Sequence, residues 1–202
     1  MDIIKYCVMK RIQTIILFAA LILNIPVSAQ SNCSFKKGYH GFVEFGAAAV
    51  NGQIQEGFVK SSTERYSESQ MQPGEMIRLS TVHGYSWGNG VFLGAGLGYN
   101  FELLESAQYA SIFADAKYNF KDILASPFME GRMGYNFCTN AYRYDTQGLF
   151  VSVSGGVDFG HFAARLGYEY CPIKQNYRTD YEGLHRYYYL MNQFFLSLAY
   201  NF

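Results

Sequence analysis

Proline is scarce in this chain, four in 202 residues, and no charge of one sign dominates, since 16 basic residues face 16 acidic ones. The balance leaves no basic surface to hold nucleic acid. Neither a Cys-x-x-Cys nor a His-x-x-x-His spacing occurs, so no metal-ligand pattern is on offer and no cofactor is implied. The four histidines, His40, His83, His161 and His185, lie outside any His-x-Ser pattern. That removes the sequence sign of a histidine-activated serine nucleophile. Long apolar runs are missing as well. The longest, Ile15 to Leu23, falls short of the ~20 residues a spanning helix needs.

What is abundant is aromatic or small: 18 Tyr, 17 Phe and 20 Gly. Aromatics favour strands, and few helix-favouring Glu, Lys or Ala runs compete with them, so the composition points to an all-β protein. Lys10-Arg11, the apolar run, Pro26 and then Val27-Ser28-Ala29 have the order of a secretory signal peptide. Residues 1–29 are expected to be removed, with Ala29–Gln30 as the cleaved bond. Met9-Lys10-Arg11 is itself a compact charged start, which makes Met9 a candidate initiator beside Met1. Cys33 lacks the aliphatic and small neighbours of a lipid-attachment site. Removing Asp2, Lys5, Lys10 and Arg11 leaves 13 basic and 15 acidic residues, a charge of about −2.

Beyond a short periplasmic segment, residues 30–37, the chain alternates with period two, as side chains do on a strand. The clearest case is the last stretch, where Phe194, Leu196, Leu198, Tyr200 and Phe202 share one face. Eight such stretches are predicted: 39–49, 76–85, 91–101, 109–120, 127–137, 149–159, 162–170 and 186–202. Polar connections at 50–75, 102–108, 138–148 and 171–185 alternate with tight turns such as Gly88-Asn89-Gly90. Eight antiparallel strands close as an up-and-down barrel, and alternating long and short connections mark one that spans a membrane, long loops outside. The barrel is placed at residues 38–202.

On that parity the charges gather on the other face: Glu44, Arg78, Asp115, Lys117, Glu130, Arg132, Asp158, Arg165 and Glu169. A barrel of eight strands is only wide enough for side chains to fill. Five acids and four bases are therefore expected to plug the lumen as a polar network, with a narrow ion path as the alternative. The glycine stripe Gly94, Gly96 and Gly98 faces the same way and is expected to make room there for long charged side chains. A soluble barrel that binds a ligand would reverse the pattern, apolar inside and polar outside.

The tripeptide Tyr-Asn-Phe ends four strands, at 99–101, 118–120, 135–137 and 200–202. Tyr99, Phe101, Tyr118, Phe120, Tyr135 and Phe137 would thus populate aromatic girdles at both rims, where an amphipathic ring is best placed. Cys138 and Cys171 fall at outer strand ends one strand apart, ~9–10 Å by ladder spacing, beyond the ~7 Å a disulfide spans. The outer loops hold Tyr142, Tyr144, Tyr177, Arg178, Tyr181 and Arg186, which suit either rim anchoring or ligand contact.

Alternation, signal peptide and aromatic terminus together resemble the small outer-membrane β-barrel proteins of Gram-negative bacteria, the OmpA-barrel/OmpX-like class, over residues 38–202. His83-Gly84-Tyr85, the stripe Gly94 to Gly98 and the closing Leu198-x-Tyr200-x-Phe202 are similar to the porin-family outer membrane β-barrel domain. The resemblance implies outer-membrane residence, contact with lipid and lipopolysaccharide, and passage through the secretion and barrel-assembly machinery. In that class the row from Phe194 to Phe202 is similar to the assembly signal. The functional expectation is a structural or surface-interaction protein that is not an enzyme, with an unidentified extracellular ligand among its expected partners. A small-solute channel and a lipid-modifying enzyme are the alternatives.

Overall fold

The computed structural model describes residues 36–59, 65–66, 71–103, 108–139, 144–179 and 183–202. The expected signal peptide and most of the segment 30–37 lie outside them. Among the described residues there are nine strands: β1 (Lys37–Val59), β2 (Arg65–Tyr66), β3 (Met71–Trp87), β4 (Val91–Glu102), β5 (Gln108–Asn119), β6 (Ser126–Cys138), β7 (Tyr144–Asp158), β8 (Phe162–Thr179) and β9 (Gly183–Asn201). From β3 to β9 each pairs antiparallel with the next in chain order, β1 pairs with both β3 and β9, and β2 pairs with β1. Eight strands thereby close an up-and-down barrel, while β2 only adds a two-residue ladder at Gly57 and Phe58 of β1. Closure satisfies the backbone groups that an open sheet edge would expose to lipid.

The two rims differ. At one, the chain reverses tightly, as at Gly88-Asn89-Gly90, where both glycines have positive φ (77° and 86°). The Asn89 side chain accepts a hydrogen bond from the Val91 amide there. At the other rim the chain does not leave the sheet where polarity begins. The loops expected at 50–75 and 171–185 are mostly strand: β1 pairs with β3 out to Gln53–Met71 and with β9 out to Val59–His185. The β8–β9 ladder reaches Thr179–Gly183. Backbone pairing continues beyond the stretches where large apolar residues alternate, so the period-two signal stops before the strand does. A register shift between Ile54 and Glu56 interrupts this ribbon.

Parity sorts the wall into two faces. Large apolar side chains look outward and lie open, among them Leu97, Met133, Leu149, Leu166 and Phe194, each at 60% or more of full exposure. In lipid such a band is at home. Inside, six phenylalanines are buried: Phe42, Phe92, Phe113, Phe128, Phe150 and Phe195. They explain the glycines. A Cβ on Gly96 would sit 2.5 Å from the Phe113 ring, and one on Gly156 would sit 2.6 Å from Phe128. The stripe makes room for rings rather than for the long charged side chains expected, because a flat ring lies over the backbone that glycine leaves bare.

Candidate functional site

The inward residues form three levels. Toward the ribbon rim, Val50, Met76, Tyr109, Phe150, Cys171 and Ile173 make a buried apolar layer. Below it, the Arg78 guanidinium donates to Glu169 at 2.7 Å, Gln193 donates to the same carboxylate, and Arg78 lies 4.4 Å over the Phe195 ring. Asn136 donates to the Cys171 sulfur at 3.3 Å. Cys138 and Cys171 are thiols, with no disulfide between them.

The middle level is the densest. Arg132 donates from Nε to Asp115 at 2.7 Å and from Nη2 to Glu44 at 2.7 Å and Glu130 at 3.0 Å. Arg165 donates from Nη1 to Glu44 at 2.9 Å and to Glu130 at 2.7 Å. Hydroxyls complete the carboxylates: Ser197 and Ser80 on Glu44, Ser154 on Glu130. Seven barrel strands contribute to this one cluster, and β4, the eighth, contributes the space of its glycines. The guanidinium planes also face rings, Arg132 over Phe113 at 5.1 Å and Arg165 over Phe42 at 5.0 Å. Cation and quadrupole attract more strongly when water is excluded, and the side chains of Arg165 and Glu130 are 0% and 1% exposed.

At the tight-turn level Lys117 donates to Asp158 at 2.6 Å and sits 4.4 Å over Phe128. Asp158 also accepts from the Gly160 amide and from Asn201. This pair floors a cavity of about 340 Å³ that opens at the rim between His40, Phe92, Asn201 and Phe202. All nine charged residues singled out by parity thus meet in the lumen, in ion pairs. Sequence reasoning missed the phenylalanines between them. Their signal was readable, for Phe42 shares its face with Glu44 and Phe113 shares its face with Asp115.

Outside, Tyr99, Phe101, Tyr118, Phe120, Tyr135, Phe137, Tyr200 and Phe202 are exposed or half-buried. The rings of Tyr118 and Phe120 meet edge to face at 5.3 Å. Along the row in β9, Phe194, Tyr200 and Phe202 are exposed, and Leu196 and Leu198 are half-buried. His83 points outward and is held on both ring nitrogens, by Tyr39 Oη at 2.5 Å and Thr81 Oγ1 at 3.1 Å. Its neighbours Val82 and Gly84 pair with Phe42 and His40 of β1. His40 Nε2 is 2.9 Å from the Lys36 carbonyl, and His161 stacks on Tyr200. Among the described residues no group of His, Cys, Asp and Glu is arranged for a metal. The side chains of Tyr142, Tyr144, Tyr177, Arg178, Tyr181, His185 and Arg186 lie outside the described set.

No protein-family model matches the chain, and no curated protein matches it. Among solved structures it is similar to the outer membrane protein OprG from Pseudomonas aeruginosa, at 10% identity and a TM-score of 0.55, covering 85% of this chain and 99% of that one. Neisserial surface protein A (15% identity, 82% and 99% covered, TM-score 0.47) and the outer membrane protein AlkL in lipid bilayers (13%, 89% and 95%, 0.49) are also similar. The OprG likeness carries the assignment. The chain has the fold of a small eight-stranded outer-membrane β-barrel.

Proposed function

We propose that this protein is an integral outer-membrane barrel with a sealed lumen, and that its role is exercised at the cell surface by the strands standing beyond the lipid. One observation carries this reading. A cluster of paired charges from four strands, completed by hydroxyls from three more and nearly inaccessible, fills the middle of the barrel. An ion crossing the lumen would have to separate those pairs, and separating a buried pair costs ~3–5 kcal/mol. The tight-turn rim is periplasmic and the ribbon rim extracellular, following the usual asymmetry of such barrels.

Lipid and lipopolysaccharide are the neighbours of the outward apolar band, with secretion and barrel-assembly factors as transient partners during biogenesis. A surface ligand would meet the ribbons. The reading is non-enzymatic, and lipid A mass spectra unchanged by deletion of the gene are expected. Planar-bilayer recording of the refolded protein tests the seal: no stable conductance steps are expected, and reproducible open steps would overturn it. Outer-membrane fractionation with heat-modifiable migration in detergent gels tests the location.

A further inference from the structure

The central cluster does not balance. It contains three carboxyl groups, Glu44, Asp115 and Glu130, and two guanidinium groups, Arg132 and Arg165. The other four of the nine charges are matched one to one, Arg78 with Glu169 and Lys117 with Asp158. One negative charge is left over in a space that water does not reach, where an uncompensated charge is far costlier than a neutral, hydrogen-bonded acid.

The three carboxyls are not equivalent. Glu44 accepts from both guanidiniums and from Ser197 and Ser80. Glu130 accepts from both guanidiniums and from Ser154. Asp115 has a single protein donor, Arg132 Nε on Oδ2. Its Oδ1 is buried with no protein partner, and its side chain is 0% exposed. Around it β4 brings Gly94 and Gly96 and no charge, β3 brings Ser80, β7 Ser154 and β9 Ser197. The charged groups of the cluster are Glu44 on β1, Glu130 and Arg132 on β6 and Arg165 on β8, with Lys117 next along β5 committed to Asp158.

We propose that the Asp115 carboxyl is a proton-binding site, occupied at neutral pH, and that this proton sets the charge of the plug. With Asp115 neutral, two carboxylates face two guanidiniums. Loss of the proton leaves a net negative charge among five packed groups and loosens the plug as pH rises. The proton itself does not depend on the sealed-barrel reading, whereas its effect on leakage does.

The test is isotope-edited infrared spectroscopy of full-length mature protein, labelled at aspartate and refolded in lipid vesicles. The C=O stretch of a protonated aspartic acid is expected at neutral pH and is expected to vanish in Asp115→Asn. Absence of that band in the wild type, or its persistence in the variant, overturns the proposal. If the variant does not fold, NMR titration of the wild-type aspartate carboxyl carbons decides the matter. A resonance assigned to Asp115 that stays protonated through neutral pH supports the site, and an ionised one overturns it. In vesicle leak assays the wild type is expected to leak several-fold more at alkaline than at neutral pH, and Asp115→Asn to show no such rise. Leakage by the wild type at every pH would instead strike the sealed-barrel reading and leave the proton site standing.

Discussion

Phe194 and Phe195 are consecutive, chemically identical and opposite in fate: one is 66% exposed on the outer wall, the other 2% exposed in the lumen. The outer face is a set of side chains that each meet lipid, so its contributions are close to independent. The inner face is a single coupled body. Phe195 packs under Arg78, which holds Glu169, which is held by Gln193. A change outside should therefore be read locally, and a change inside should propagate.

The sharpest way to break that contrast is Glu44→Ala, which leaves Arg132 and Arg165 short of a shared acceptor. A loss of ~3–5 kcal/mol is expected in denaturant unfolding from vesicles, and a loss below one would mean that the lumen is wet. Phe195→Ala should also cost ~3–5 kcal/mol as a core truncation. Phe194→Ala should cost much less, and equal costs would erase the distinction between the faces. A fourth substitution probes the outer face by charge. Leu166 lies opposite Leu196 on β9, so Leu166→Lys is expected to destabilise by ~2–4 kcal/mol if that position is near the membrane midplane. The smallest effect belongs to Tyr39→Phe, which removes one hydrogen bond from His83 and should cost no more than ~0.5–1.5 kcal/mol.

Much of this was legible in the chain because period two is unambiguous once one face carries charge. All nine inward charges, from Glu44 to Glu169, follow from parity alone. Parity also sets Phe42, Phe113 and Phe128 on the charged face beside Glu44, Asp115 and Glu130, but it does not say that the Phe113 and Phe128 rings fill the room left by Gly96 and Gly156. The ribbons were illegible for a different reason. In the outer parts of β1 and β9 the backbone pairing persists without an apolar rhythm in the sequence to announce it.

The β1–β9 ladder runs without a chain break from Phe42–Asn201 at the tight-turn rim to Val59–His185 at the ribbon tip, with one shift at Ile54/Glu56. Its mechanics follow from that continuity. A pull on the ribbon along the strands loads the rungs in shear, many at once, instead of peeling them singly. An axial load on the ribbon is therefore carried into the barrel wall through one continuous ladder.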